Sequence, residues 1–111
     1  MPIKEWNEIT ARYQEEYIHS RYAENARGIL NLIPRIKDDP IFADVVPFTS
    51  HTALCLEVPD NKFLVVVWCE KGSEEYTISI EKDGIVDEEI KISDSKIVST
   101  LQEYIRKISS G

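Results

Sequence analysis

The segment Phe63–Cys69 reads FLVVVWC, an unbroken run of aromatic, aliphatic and β-branched residues. It is too short for a buried helix, and its composition belongs in a sheet. Because consecutive residues of a strand point to opposite faces, such a run suits a central strand buried on much of both faces. The flanking residues supply further strands. Residues 53–58 alternate, with Leu54, Leu56 and Val58 on one face, and Pro59, Asp60, Asn61 and Lys62 form a turn into the run. After a loop around Lys71, Gly72 and Ser73, the residues Tyr76, Ile78 and Ile80 alternate with Thr77, Ser79 and Glu81. Asp83-Gly84 then turns the chain into residues 85–92. The expectation is a four-stranded antiparallel meander.

The last turn permits a statement about register. A two-residue loop would set Ile80 opposite Asp87 and mix apolar with charged residues on one face. A three-residue loop, Lys82 to Gly84, pairs Ile80 with Val86 and Tyr76 with Ile90 and keeps the apolar sets together. The three-residue form, with Gly84 left-handed in a bulge, is therefore expected.

Helices flank the sheet. Trp6, Ile9, Tyr13 and Tyr17 lie on one helical stripe, with Glu5, Glu8, Arg12, Glu15 and Glu16 between them. Pro2 suits a first-turn position. A second set, Ala23, Ala26, Ile29 or Leu30, and Ile33, continues on a shifted stripe. A break between Ile18 and Arg21 follows, with Ser20 as a candidate cap of the second segment. Gly28 weakens that segment, and Pro34 should end or kink it. Residues 34–52, with Pro34, Pro40 and Pro47, read as irregular chain packed over the core through Ile41, Phe42, Val45, Val46 and Phe48. A final helix carries Ile97, Leu101, Tyr104, Ile105 and Ile108 as its apolar stripe, with Ser93 and Asp94 at its start. The whole is an α+β two-layer sandwich: an N-terminal helix or helix pair, the meander, and a C-terminal helix packed on the sheet.

With 111 residues and 42% hydrophobic content, the chain supports a single α+β domain over residues 1–111 without staples. Its 13 basic and 20 acidic residues leave a net charge of −7, which argues against a general phosphate-binding or anionic-membrane surface. No apolar run is long enough to span a bilayer, and residues 1–8 lack the pattern of a signal peptide. A soluble, cytoplasmic protein is expected, with no membrane partner and nucleic acid disfavoured.

Catalytic and cofactor chemistry find little support. Ser50, His51 and Thr52 enter the first strand as a polar cluster, either a hydrogen-bonding rim with His51 as acid or base, or a segment satisfying its own backbone. No Gly-x-Ser-x-Gly context and no third triad member accompany them. Cys55 and Cys69 lack short metal-ligand spacing and read as small buried hydrophobes. No phosphate-binding glycine motif occurs, so no cofactor and no metal are expected. Trp6, Tyr13, Tyr17 and Tyr22 face either a partner or the sheet.

Charge distribution carries the functional expectation. Residues 70–94 hold nine acidic and three basic side chains, a net of −6, whereas residues 95–111 are net +2. Glu81, Asp87 and Glu89 should point outward with the loop acids Glu70, Glu74, Glu75 and Asp83. Glu88 should lie on the apolar face, desolvated or at an edge where it reaches water. Such a surface can steer and hold a basic partner, or it can be a solubilising face that protects an edge strand. The leading expectation is a non-enzymatic protein-interaction domain that binds a partner through Glu81, Asp87, Glu88 and Glu89, of immunity or antitoxin type. The alternative is a small-molecule-binding or regulatory domain with a pocket near His51, Ser50 and Trp68, and an enzyme comes third. A homodimer could form through an aromatic helix face or the edge strand.

Overall fold

The computed structural model describes residues 5–58, 63–69 and 74–110. Pro2, the turn at residues 59–62, and the loop containing Glu70, Lys71, Gly72 and Ser73 lie outside the described residues. The elements are helix α1 (Trp6–Glu15), a 3-10 turn (Tyr17–His19), helix α2 (Ala23–Ile36), a second 3-10 turn (Pro40–Phe42), strands β1 (Val46–Ser50), β2 (Ala53–Glu57), β3 (Phe63–Cys69), β4 (Glu75–Lys82) and β5 (Ile85–Ser93), and helix α3 (Ile97–Ser110). The strands form one antiparallel sheet in the order β1-β2-β3-β4-β5, so β3 is central.

All three helices contribute to the core on one face of this sheet. Ile9 and Tyr13 of α1, Ala26, Ile29, Leu32, Ile33 and Ile36 of α2, and Ile97, Leu101, Ile105 and Ile108 of α3 share a core with Leu54, Leu56, Val65, Val67, Tyr76, Ile78 and Ile80. Polar groups inside this layer are paired. The Asn25 side chain accepts from the Cys69 N–H (2.9 Å) and donates to the Thr52 carbonyl (2.6 Å). Tyr13 also donates to that carbonyl (2.8 Å), and Tyr76 donates to the Gly28 carbonyl (2.8 Å). These contacts tie α1 and α2 to the β1–β2 turn and to two strands, and burial pushes the Tyr76 phenol up to about 12.

The break after α1 is present, and Ser20 organises it. Its hydroxyl donates to the Tyr17 carbonyl (2.7 Å) and accepts from the Tyr22 N–H (3.1 Å), while α2 itself begins at Ala23. Four expectations require correction. The sheet has five strands, because Val46–Ser50 of the segment read as irregular is β1. Proline is tolerated there because β1 is an edge strand. Pro34 does not end helix α2, which runs on to Ile36: in the last turn proline removes one hydrogen bond, while Ile33 and Ile36 on either side are buried. Ser93 ends β5 instead of capping α3, which starts at Ile97 after a turn closed by the Lys96 N–H on the Ser93 carbonyl (3.0 Å). Asp94 instead binds Arg35 of α2 (2.8 Å).

The fourth correction concerns the β4–β5 hairpin. The turn has two residues, Asp83 (φ 53°) and Gly84 (φ 82°), the positive-φ pair of a type I′ turn. Lys82 therefore faces Ile85 and Glu81 faces Val86, before the register shifts at Ile80/Glu81. Beyond the shift Ile80 faces Glu88, Ile78 faces Ile90 and Tyr76 faces Ile92. The apolar sets still meet, but the extra residue that allows it is Asp87, inserted into β5 as a bulge rather than into the turn.

Candidate functional site

Among the described residues no helix packs on the second face of the sheet. Its residues follow from the register and the two-residue alternation. One row runs Phe48, Cys55, Val66, Ser79 and Glu89; the next runs Val46, Glu57, Leu64, Glu81 and Val86. A third carries Trp68, Thr77 and Lys91. None of these apolar residues belongs to the core cluster shared with the helices. Val46, Phe48, Leu64, Val66 and Trp68 are half-buried, and Val86 is 54% exposed. The face thus has an apolar centre on β1 to β3 with Glu57, Glu81 and Glu89 set among it and along its β4–β5 side.

Local interactions order this surface. Ser79 donates to the Glu89 carboxylate (3.3 Å) across the β4–β5 pair. Trp68 packs edge-on against Tyr22, with ring centroids 5.8 Å apart, and the Arg21 guanidinium lies 5.4 Å from the Tyr22 centroid. Tyr22 is 40% exposed, so an aromatic and arginine cluster stands at the rim beside Trp68. Cys55 is buried beneath its neighbours, and desolvation, with the nearby Glu81 charge, pushes its thiol up to about 12. It is an inert thiol. Cys69 lies on the helix-covered face, so the two cysteines are on opposite sides of the sheet and neither is in a disulfide.

The four acids expected to act together are divided. Glu81 and Glu89 lie on the open face. Glu88 lies on the helix side with Ile90 and Ile92, where it is solvent-exposed at the edge and accepts from the Tyr104 hydroxyl (2.9 Å). That carboxylate and, above all, burial raise the Tyr104 phenol to about 12. Asp87 is the bulged residue and, with Glu88, Tyr104, Phe63, Ile80, Lys107 and Ile108, lines a cavity of about 240 Å³ between β5 and α3. That volume falls short of the usual small-molecule site.

The ligand-site candidates are dispersed as well. His51 sits exposed at the tip of the β1–β2 turn at φ 58°, and Ser50 is exposed at the end of β1. Thr52 is buried, with its carbonyl engaged by Tyr13 and Asn25 and its Oγ1 lacking a hydrogen-bond partner among the described residues. Trp68 lines a cavity of about 210 Å³ with Arg21, Tyr22, Glu24, Asn25 and Cys69, and neither His51 nor Ser50 is among its lining residues. Among the described residues no three His, Cys, Asp or Glu side chains gather as metal ligands, and no helix is long and apolar enough to cross a membrane.

Sequence reasoning passed over Val46, Phe48, Glu57, Leu64 and Val66 as surface residues. The signal was present in FLVVVWC, whose even-numbered positions are as apolar as its odd ones. No protein-family model, no curated protein and no solved structure matches this chain.

Proposed function

We propose that the chain is a non-enzymatic interaction domain that binds a partner protein through the open face of its sheet. The observation that carries this reading is the central strand: β3 is apolar on both faces, and the helices cover only one. A half-solvated antiparallel sheet ordinarily turns polar residues outward. Here Leu64, Val66 and Trp68 are turned outward, beside Phe48 and Val46. Interfaces place an apolar centre inside a polar rim, with tryptophan, tyrosine and arginine as anchors, and Trp68, Tyr22 and Arg21 stand where such anchors would act. Glu57, Glu81 and Glu89 set the complementary chemistry: an apolar patch flanked by lysine or arginine. A small acidic protein of immunity or antitoxin type, covering a basic nucleic-acid-cleaving toxin in the cytoplasm, is a concrete form of this reading.

The test is affinity capture from native extract, followed by titration of the captured protein against wild type, Val66→Lys and Glu57→Lys/Glu81→Lys. A basic protein should be captured, its association should slow as salt rises, and both variants should weaken binding by roughly tenfold or more. Capture of nothing, or of a protein indifferent to both variants, contradicts the reading.

A further inference from the structure

The two edges of the sheet differ in how they are protected against pairing. β1 is short and contains Pro47, which has no N–H to offer a neighbouring strand. β5 has nine residues, and among the described residues no strand lies beyond it in the sheet. The Asp87 bulge disturbs only its beginning, and from Glu88 to Ser93 it runs in unbroken register against β4. On the helix side Ile90 and Ile92 are only partly buried, and a cavity of about 400 Å³ opens over them towards Thr100, Glu103 and Tyr104. A regular edge strand beside apolar space is a template for another strand.

We propose that the occupant is a second copy of this chain, with β5 pairing antiparallel to β5 about a two-fold axis through Ile90. The register follows from symmetry and charge. A two-fold axis perpendicular to a sheet keeps every residue on its own face, and opposed residues must share a face. Since faces alternate with period two, the axis passes through a residue and never between two. An axis at Glu88 or Glu89 sets a carboxylate against its own copy, and an axis at Lys91 opposes two ammonium groups. Only Ile90 avoids a like-charge pair in the centre of the strand. It sets Ile90 against Ile90 and, on the open face, Lys91 against Glu89 twice over. Ile92 then faces Glu88, whose carboxylate Tyr104 already holds. Ile90 is also the midpoint of residues 88–92, so the bulge falls just outside the paired stretch. The sheet would run unbroken through both copies, with Ile90 and Ile92 of each forming one apolar strip on the helix side. This dimer shares only Glu89 with the surface proposed above, whose contacts centre on β3, and its test reads self-association without any partner.

Sedimentation equilibrium from about 1 µM to about 1 mM protein reads the result directly. Wild type should form dimers, and Lys91→Glu and Glu89→Lys should each weaken them by roughly tenfold, because both symmetry-related pairs become repulsive. An equal mixture of the two variants should recover dimers as a heterodimer, since every opposed pair is again Glu with Lys. Circular dichroism should show both variants folded, as each change is at an exposed position. A wild type that stays monomeric throughout overturns the proposal. So does a dimer indifferent to both variants, or a loss that mixing leaves unrepaired.

Discussion

The two faces of the sheet are built from the same strands and the same residue types, yet they do different work. On the helix-covered face every large apolar side chain of β2, β3 and β4, except half-buried Phe63 at the start of β3, is buried, and the polar atoms of Asn25, Tyr13 and Tyr76 are hydrogen-bonded. On the open face comparable apolar residues are half-exposed and interspersed with carboxylates. Burial of apolar area is the dominant favourable contribution to folding, so the covered face should account for stability. Val46, Phe48, Leu64, Val66 and Trp68 on the open face keep part of their surface in contact with water after folding. Their apolar character needs another explanation, and binding supplies one.

Core truncations test the contrast most severely. Ile78→Ala or Leu56→Ala should cost about 3–5 kcal/mol in urea unfolding, the sum of lost transfer energy and a residual cavity. Leu64→Ala and Val66→Ala should each cost less, about 1–2 kcal/mol, because these side chains are only partly buried and leave no enclosed cavity. Equal losses on both faces would remove the distinction. Asn25→Ala comes next, at about 2 kcal/mol by thermal unfolding, since it removes two buried hydrogen bonds, one from the Cys69 N–H and one to the Thr52 carbonyl, which Tyr13 continues to satisfy. Gly84→Ala should cost about 1 kcal/mol through backbone strain alone, because φ is +82° and nothing lies within 4 Å of the added Cβ.

Smaller effects belong to the surface that joins the helices. Asp39 accepts from the Ile41 N–H (2.9 Å) and from Gln102 of α3 (2.7 Å), and these bonds, the backbone one first, hold its carboxyl below the usual range. A depressed native pKa stabilises the fold above the ordinary carboxylate pKa of about 4 and loses that contribution as pH falls through the native value. Wild type should therefore be more stable than Asp39→Asn at neutral pH, and the gap should close in acid during pH-dependent unfolding. The least consequential change is Arg35→Ala: its exposed bridge to Asp94 should contribute at most about 1 kcal/mol and less in high salt.

Much of the covered face was legible in the sequence, because helical stripes and strand alternation are the direct trace of one-sided burial. Ile9 and Tyr13, Ile29 and Ile33, and Leu101 and Ile105 were read from spacing and are buried. The open face was harder to read. β1 was hidden by Pro47, since a proline that excludes a central strand is compatible with an edge. The parity of the β4–β5 hairpin was legible, as an extra residue had to be placed somewhere. Its position was not, because Asp83-Gly84 satisfies a type I′ turn and exposed Asp87 tolerates a bulge. That single insertion decides which face each residue before it presents, and so it places Val86 on the open face, opposite Glu81.

Val66→Lys puts the central claim to its most direct test when stability and affinity are measured on the same preparation. If the open face exists for binding, the lysine keeps its ammonium in water, the unfolding midpoint stays close to that of wild type, and affinity for the captured partner falls by roughly tenfold or more. An unfolding midpoint that collapses as it does for Ile78→Ala, or an affinity left unchanged, would contradict the account.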